Sequence, residues 1–395
     1  ISIGEEYSLT YPGTASTKCV VIYQKEFNLF WGGRPSYEYT KIVLTRLDDE
    51  TFQLAFLSRE HDYLLIPFEN DWKTAADHYK KCLDIDSQTG QKRLPKYLLQ
   101  LGVKDSDKKV HINNFSELTP VIELFYNHFG AGNIIHFFGT NKNGFDRMFP
   151  DYTIDKELGG EKAFQQLVEK ATSLGLQTSH HYNPRIADIN WMQSFPKYRE
   201  AIVQKDGMEV LEPYKNHMHC VMNLNETLWF ERCFETVNYL AGLGLDYLEI
   251  DQFTYQRNFF DERQPLAHGY KKMVERFTEL GIKFWLEGVS DIFRLSEGNF
   301  YQILIRDRAE LWGDGENRRG YPYGRTFAEF FMYLYPDSEV SYQVFTENKL
   351  FDKIRERVNM GQIINSAIYD IELGFYDENY IRNLKRIIRI LNKNE

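Results

Sequence analysis

The segment Gly244-Leu245-Asp246-Tyr247-Leu248-Glu249-Ile250-Asp251-Gln252 decides the predicted fold. It is a short apolar strand that follows a helical pattern and ends on a carboxylate. The segment Gly281-Ile282-Lys283-Phe284-Trp285-Leu286-Glu287-Gly288 repeats this plan. A glycine that ends a helix, an apolar strand and a polar strand tip, in that order, are typical of parallel strand–helix–strand units.

Counting such segments gives eight candidate strands. They are Val110–Phe115, Asn133–Gly139, Leu176–Tyr182, Tyr247–Gln252, Lys283–Glu287, Tyr301–Arg306, Ser341–Phe345 and Ile363–Ile371. Amphipathic patterns predict helices at Glu161–Leu174, Leu228–Leu243, His268–Leu280 and Asp377–Leu391. Eight strand–helix repeats predict an α/β fold, a (β/α)8 TIM barrel. A doubly wound open sheet is the alternative, but the sequence has no G-x-G-x-x-G or phosphate-binding loop to favour it.

The first 90 residues follow a different pattern. Runs such as Cys19–Tyr23, Lys41–Leu47 and Thr51–Leu57 alternate apolar and polar residues between turn-like stretches, which predicts antiparallel β-structure. Residues 71–79 have helical spacing and predict a bridging helix. We therefore expect a β-rich module with this helix at 1–90, a linker at 91–108 and the catalytic barrel at 109–395.

The composition predicts a soluble globular protein. The net charge of −10 disfavours a nucleic acid partner, because phosphate backbones are bound through clustered Lys and Arg. No apolar run approaches the roughly 20 residues that span a bilayer. The chain begins at Ile1 without a signal-like segment, so we expect a processed chain, with export and loss of a targeting segment as one option. Localisation and oligomeric state are not predicted.

Two acids end neighbouring predicted strands. The active site of a barrel lies at the carboxyl ends of its strands, where Asp251 and Glu287 stand. Strands about 4.8 Å apart bring such carboxylates near the roughly 5 to 5.5 Å found in retaining glycosidases. We therefore predict glycoside hydrolysis, with Asp251 as nucleophile, Glu287 as acid/base, and no cofactor or metal. The alternative is that each acid pairs with an arginine at the barrel rim.

Several motifs resemble a bacterial barrel family known as a domain of unknown function. They are the run from Gly144 to Tyr152 (GFDRMFPDY), the His-Tyr-Asn-Pro element at 181–184, the strand Leu-Glu-Ile-Asp-Gln and the tip Leu-Glu-Gly. The resemblance spans roughly Asp71 to the C-terminus. That family is similar to endo-α-N-acetylgalactosaminidases and, more remotely, to α-amylase-like enzymes. Those hydrolases act on α-linked sugars with retention, and their nucleophile and acid/base end strands four and five, which implies the same roles for Asp251 and Glu287.

The sequence departs from the α-amylase-like pattern at two places. Glu249 stands two residues before the predicted nucleophile, where that pattern has Arg, and no clear third Asp ends the seventh strand. The resemblance therefore does not imply an α-glucan substrate. Alternation along the strand puts Glu249 on the same face as Asp251, so that repulsion between them would raise the pKa of one. Glu249 as the functional acid is a further alternative.

Other polar and aromatic residues near the strand tips are expected to bind the carbohydrate. They are Asp146, Asp151, Tyr152, His181, Tyr182, Arg185, Trp191, Glu249, Gln252 and Arg306. Asp151 could equally cap a loop or helix, and Arg306 could equally neutralise Glu287. Only one of the adjacent His180 and His181 can face the pocket, which favours His181 as a hydrogen-bond donor to substrate over a metal ligand.

Two other functions stay open. A non-catalytic carbohydrate-binding barrel would use both acids for binding and not for turnover. A metal-dependent barrel hydrolase would need several His and Asp residues at strand ends, and the His180-His181 pair is the hint of it. Acyl transfer is not indicated, because the sequence has no G-x-S-x-G elbow.

Overall fold

We describe the protein from a computed structural model. It describes residues 4, 6–11, 17–23, 28–36, 40–49, 51–58, 62–69, 71–85, 97–105, 110, 112–214, 217–253, 265–293, 295, 299–304, 331, 333–336, 338, 340–345, 365–369, 386 and 389.

Six antiparallel strands at the N-terminal end form two three-stranded sheets, which confirms the predicted β-structure there. The strands are β1 (Glu6–Tyr11), β2 (Cys19–Tyr23), β3 (Asn28–Gly33), β4 (Thr40–Arg46), β5 (Phe52–Ser58) and β6 (Tyr63–Phe68). Their orders are β1-β4-β5 and β2-β3-β6. Trp31 of one sheet stacks on Phe56 of the other, so aromatic rings join the two sheets.

Helix α1 (Trp72–Cys82) occupies the position predicted for a bridging helix. The side chain of Asp71 accepts a hydrogen bond from the Lys73 N–H and caps its first turn. Tyr79 of α1 is buried and donates its hydroxyl to the Gly33 carbonyl at 2.6 Å. A side chain at Gly32 would meet the Tyr79 ring, so a glycine there lets the helix pack closely on β3.

The remaining strands follow in chain order. They are β7 (Tyr97–Gly102), β8 (Ile134–Phe138), β9 (Gln177–Tyr182), β10 (Ile186–Asp188), β11 (Gln204–Lys205), β12 (Met208–Glu209), β13 (Leu211–Tyr214), β14 (His217–Val221), β15 (Tyr247–Ile250), β16 (Lys283–Glu287), β17 (Phe300–Leu304), β18 (Val340–Phe345) and β19 (Asn365–Tyr369). Eight of them form one parallel sheet in the order β7-β8-β9-β15-β16-β17-β18-β19, and β19 pairs with β7, so the strand order closes.

Seven of the predicted strands lie in this sheet with ends shifted by at most two residues. The prediction of the first strand was wrong, because β7 is Tyr97–Gly102 and not Val110–Phe115. Phe115 instead begins a 3-10 helix, which Asn114 caps by accepting the Ser116 N–H. Strand β7 therefore lies inside the segment predicted as a linker.

Helices follow four strands of the parallel sheet within the described residues. They are α2 (Thr119–Phe129), α3 (Gly160–Ser173), α5 (Thr227–Ala241) and α6 (Ala267–Glu279), and a short α4 (Ile189–Ser194) lies between β10 and β11. The mixed α/β fold is thus confirmed. The helix predicted at Asp377–Leu391 falls outside the described residues, apart from the helical positions Arg386 and Arg389. No helix in the described part of the chain is long and apolar enough to cross a membrane.

The interior of the parallel sheet changes from apolar to polar along the strands. Near the strand starts lies an apolar cluster made of Leu98, Ile134, Tyr247, Trp285 and Phe300. The large core between the sheet and its helices is a separate cluster. The interior side chains closer to the carboxyl ends are polar, and they form the site described next.

Candidate active site

Asp251 and Glu287 lie side by side at the carboxyl ends of β15 and β16. The register pairs Ile250 with Leu286, so the residues that follow them stand at the same height. Both acids are buried, with 9% and 7% of their surface exposed. Their side chains hydrogen-bond to each other. The structure therefore brings together the two acids that the sequence predicts at neighbouring strand tips.

The surroundings of Asp251 act on its pKa in opposite directions. Burial raises the pKa of Asp251 to about 6, and hydrogen bonds from Glu287 and Asn183 act in the opposite direction. The Asn183 amide donates to Asp251 Oδ2 at 2.7 Å. The bond from Glu287 lowers this pKa and so favours the ionised form of Asp251. With a pKa of about 6, Asp251 is largely ionised at neutral pH.

Glu249 lies one layer beneath Asp251 on the same face of β15. Burial raises its pKa to about 8, and Glu287 adds to this effect whereas His181 opposes it. His136 Nε2 lies 2.8 Å from Glu249 Oε2. Burial also lowers the pKa of His136 well below 6.5. Both groups of this contact are therefore neutral near pH 7.

A second polar cluster borders Asp251 on the side of β9. Ligand atoms of Asp146, His181 and Asp251 all lie within 4.8 Å of one another, and all three residues are buried. His181 Nε2 lies 3.3 Å from Asp251 Oδ2, and among the described residues it has no hydrogen-bond partner. Two carboxylates and an imidazole could hold a divalent cation, or could bind hydroxyl groups of a substrate.

A small antiparallel sheet, β10-β14-β13, supplies further side chains to the site. Alternation along β13 leaves Leu211 and Pro213 exposed and turns Glu212 and Tyr214 inwards. Tyr214 hydrogen-bonds Asp146, and burial raises the pKa of its hydroxyl above the ordinary value. Glu212 accepts from Arg185 Nη1 at 2.6 Å.

The guanidinium group of Arg185 connects this small sheet to the acids. Besides Glu212, it donates to Gln252 Oε1 at 3.0 Å. Gln252 in turn donates its backbone N–H to Glu287 Oε2 at 2.9 Å. Gln252 has a φ of 54°, a left-handed conformation at the residue after Asp251. The predicted residues Arg185 and Gln252 therefore stand next to the acids.

Alternation along β9 separates the histidine pair and Tyr182. His181 faces Asp251, whereas His180 contacts Thr140 Oγ1 at 2.7 Å. Tyr182 points to the helix side, where its hydroxyl donates to the Cys233 carbonyl at 3.3 Å. The structure therefore does not bring the Tyr182 side chain to the acids, because a residue next to an inward His181 faces outward.

Three other predicted residues have supporting positions. Trp191 of α4 is buried and stacks on Phe195, and the structure does not bring it to the acids. Asp151 caps its own loop, with Oδ1 accepting the Thr153 N–H at 3.1 Å. The Tyr152 hydroxyl accepts the Asn183 N–H at 2.7 Å and supports that residue from behind. Arg306 lies outside the described residues.

Sequence reasoning assigned no role to four residues of the site, namely His136, Asn183, Glu212 and Tyr214. His136 and Asn183 carried a usable signal, since each is a polar residue within or directly after a predicted strand. Glu212 and Tyr214 carried none, because the long segment before the fourth predicted strand has no pattern that places it over the strand ends.

Solved structures with a similar fold include three glycosidases. The ligand-free α-N-acetylgalactosaminidase NagBb from Bifidobacterium bifidum is 15% identical over 99% of this chain and 72% of that chain, with a TM-score of 0.67. The α-galactosidase TtGalA from Thermus thermophilus, in complex with stachyose, is 13% identical over 95% and 80%, with a TM-score of 0.62. The GH36 α-galactosidase AgaA from Geobacillus stearothermophilus is 11% identical over 100% and 58%, with a TM-score of 0.58. Identities this low show a shared fold.

The sequence comparisons identify a family. None of the curated proteins matches the chain. Residues 57–295 match the family described as a domain of unknown function, DUF6259, and this is more than half of the chain. The match includes the helix α1, the strand tips with Asp251 and Glu287, and the small sheet above them. The chain therefore belongs to the DUF6259 family.

Proposed function

We propose that the protein is a retaining glycosidase that acts on an α-linked sugar. The observation that carries the proposal is the hydrogen-bonded pair of Asp251 and Glu287 on adjacent strand ends. Acetal cleavage needs a carboxylate that stabilises the oxocarbenium-like transition state and an acid that protonates the leaving oxygen. The fold shared with α-glycosidases is consistent with this chemistry.

In the first step, Asp251 attacks the anomeric carbon while Glu287 protonates the glycosidic oxygen. A bond forms between Asp251 and the sugar, the glycosidic bond breaks, and the aglycone leaves as an alcohol. Retaining enzymes hold their carboxyl groups roughly 5 to 5.5 Å apart, so a bound sugar has to separate the hydrogen-bonded pair. The Asn183 amide stays on Asp251 and holds it in place.

In the second step, Glu287 is a carboxylate and acts as a base. It takes a proton from water, the water oxygen attacks the anomeric carbon, and the bond to Asp251 breaks. Two displacements restore the original anomeric configuration. Glu287 regains its proton, and both acids return to their starting charges.

The ligands bound in the similar structures suggest the sugar. NagBb was solved with GalNAc, and TtGalA with stachyose and an aryl α-galactoside. We therefore propose that this protein acts on α-linked sugars with the galactose configuration. Asp146 and His181, which border Asp251, are the residues that we propose bind the sugar hydroxyls.

The proposal includes the architecture of the catalytic domain. We propose a complete (β/α)8 barrel as the catalytic domain, preceded by the β-rich module at 1–90. Strand β7 at Tyr97–Gly102 then opens the barrel. The described strand order and the four helices that follow its strands support this arrangement.

The test is hydrolysis of aryl α-galactoside, α-N-acetylgalactosaminide and α-glucoside, with the β-anomers as controls. Wild type, Asp251→Asn, Glu287→Gln and the control Glu169→Gln are compared; Glu169 is an exposed residue of α3. We expect turnover of an α-galactose-configured substrate, loss of activity in Asp251→Asn and no change in Glu169→Gln. Glu287→Gln should slow poor leaving groups more than good ones. Binding of these sugars without turnover would overturn the proposal in favour of carbohydrate recognition.

A metal-dependent hydrolase is the second candidate, and the cluster of Asp146, His181 and Asp251 favours it. In that case a divalent cation would occupy the three ligands and activate water. Extensive dialysis against a chelator separates the two functions. Full activity after dialysis supports the retaining glycosidase, whereas loss of activity and recovery with added metal supports the metal-dependent enzyme.

A further inference from the structure

The segment that follows Glu287 leaves the end of β16 as a buried loop. Residues 289–293 are all buried, although loops normally lie at the surface. Gly288, which connects them to the acid, has a φ of 84° and turns the chain directly after Glu287. Other parts of the protein therefore enclose this segment, which we call the acid loop (288–293).

Asp291 joins the acid loop to the N-terminal sheet. Its Oδ2 accepts the backbone N–H of Lys18, the residue before β2, at 3.0 Å. The hydroxyl of Tyr335 donates to the same oxygen at 3.3 Å. Asp291, Lys18 and Tyr335 are all buried. One carboxylate oxygen thus connects three segments that lie far apart in the sequence.

Lys18 is itself fixed within the N-terminal module. Its carbonyl accepts the Gly33 N–H at 2.9 Å, and its ammonium group donates to Ser36 Oγ at 3.0 Å. The carbonyl of Gly33 in turn accepts the Tyr79 hydroxyl of α1 at 2.6 Å. The N–H that reaches Asp291 therefore comes from a point that both the sheet and its helix hold in place.

Aromatic residues hold other parts of the acid loop. The Tyr301 hydroxyl on β17 donates to the Ser290 carbonyl at 3.0 Å and also lies within hydrogen-bonding distance of the Phe293 carbonyl. The ring of Phe293 packs on Phe253, with the ring centroids 5.0 Å apart. Phe253 stands two residues after Asp251. The acid loop therefore also contacts the chain that follows the proposed nucleophile.

We propose that Asp291 is a positioning residue for the acid/base Glu287, because it anchors the acid loop to the N-terminal sheet at Lys18. Strand β16 ends at Glu287, so beyond that point the acid loop holds the backbone of the acid. An acid/base has to lie within hydrogen-bond reach of the leaving oxygen, and a displacement of about 1 Å can cost about a hundredfold in rate. The role rests on the proposed function, since it affects turnover only if Glu287 protonates the leaving group. It also gives the β-rich module a part in catalysis.

The kinetic test compares aryl α-galactosides that have poor and good leaving groups. The proteins are wild type, Asp291→Ala, Asp291→Asn and the control Asp246→Ala. Asp246 also accepts a backbone N–H, from Thr178 at 2.8 Å, but it stands directly before β15, at the opposite end of the strand from the acids. The control therefore loses a similar hydrogen bond away from the acid loop.

A poor leaving group needs the proton of Glu287, whereas a good one departs without it. We therefore expect kcat/KM of Asp291→Ala to fall by about tenfold to a hundredfold on the poor leaving group and by less than about threefold on the good one. Asp291→Asn keeps an oxygen that accepts the Lys18 N–H and should stay within about fivefold of wild type on both. The control Asp246→Ala should behave as wild type. Equal losses on the two substrates in a folded Asp291→Ala variant, or no loss on either, would overturn the proposal.

A second measurement does not depend on turnover. Hydrogen–deuterium exchange of the full chain is followed in the peptides that contain Lys18 and the acid loop. Loss of the acceptor in Asp291→Ala should speed exchange in both peptides by about tenfold, and Asp246→Ala should leave both unchanged. Unchanged exchange in Asp291→Ala would overturn the proposal. Faster exchange in a protein that hydrolyses no glycoside would instead overturn the proposed function, and with it the catalytic role of Asp291, while the anchor to Lys18 would stand.

Discussion

The backbone N–H of Gln252 donates to Glu287 Oε2 at 2.9 Å, so the residue that follows Asp251 also fixes the neighbouring acid. When Glu287 is protonated, its proton lies on Oε1, because Oε2 accepts this bond. The Gln252 side chain is bonded to Arg185, and Arg185 to Glu212. A continuous chain of hydrogen bonds therefore runs from the small sheet to the proposed acid/base.

Replacing Arg185 tests this chain of contacts. Arg185→Lys removes the forked geometry that reaches Glu212 and Gln252 together, so we expect kcat/KM to fall by about tenfold to a hundredfold. Arg199→Lys is the matched control, because Arg199 bonds Glu209 in the same forked way on the surface. Exposed pairs contribute little, and the control should behave as wild type. Wild-type kinetics of Arg185→Lys would contradict the positioning role.

Removing the Asn183 amide should move the acid limb of the pH profile. Asn183 donates to Asp251 and lowers its pKa, which burial has raised to about 6. In Asn183→Ala the pKa of Asp251 rises further, so the nucleophile becomes ionised only at higher pH. We expect the acid limb of kcat/KM to shift to higher pH in this variant and to stay in place in Asn190→Ala, an exposed residue of α4. A limb that does not move would show that Asp251 does not set it.

Glu249 should make the folded state less stable as the pH rises. Its folded pKa of about 8 lies above the ordinary 4.5, so the folded protein holds a proton that the unfolded chain releases. The associated stability is fully present below about pH 4.5 and is lost as the pH rises towards 8, by about 1.4 kcal/mol per pH unit. Urea unfolding between pH 5 and pH 8 should show a smaller loss in Glu249→Gln than in wild type or Glu169→Gln. Equal slopes in the three proteins would rule this out.

The buried ion pair of Lys104 and Asp155 should be a point of high sensitivity for folding. Both residues are buried, and Lys104 also donates to the Lys142 carbonyl at 3.0 Å. Lys104→Met leaves an unpaired buried carboxylate, and we expect a loss of about 3 to 5 kcal/mol in the free energy of unfolding. The double variant Lys104→Met with Asp155→Leu should recover much of this loss. Additive losses in the double variant would contradict the pairing.

The strand tips could be predicted from the sequence because they combine two local signals. An apolar run fixes the strand, and a carboxylate directly after it marks the end, as in Phe284 to Glu287. The alternation of side chains along a strand then assigns each residue to the inner or the outer face of the sheet. It places Glu249 beneath Asp251 on the inner face of β15, and His181 on the inner face of β9. The same rule turns the Tyr182 side chain away from the acids, towards the Cys233 carbonyl.

The wrong position of the first predicted strand and the absence of Glu212 and Tyr214 from the predicted site also have physical causes. The apolar run Tyr97–Gly102 follows a polar stretch that is typical of a linker, whereas Val110–Phe115 shows alternation but contains the helix cap Asn114. Glu212 and Tyr214 reach the site through a small sheet whose position depends on tertiary pairing between β13 and β14. The periodicity of a single sequence does not show which strands pair. It therefore could not place these two residues over the strand ends.

Trapping the covalent intermediate tests directly whether Asp251 is the nucleophile. An activated, fluorine-substituted α-glycoside that forms the glycosyl-enzyme faster than water releases it is incubated with wild type and Asp251→Asn, and peptides are read by mass spectrometry. We expect one glycosyl group on the peptide that contains Asp251, and none in the variant. A glycosyl group on Glu249 or Glu287, or turnover with inverted configuration and no labelled peptide, would contradict it.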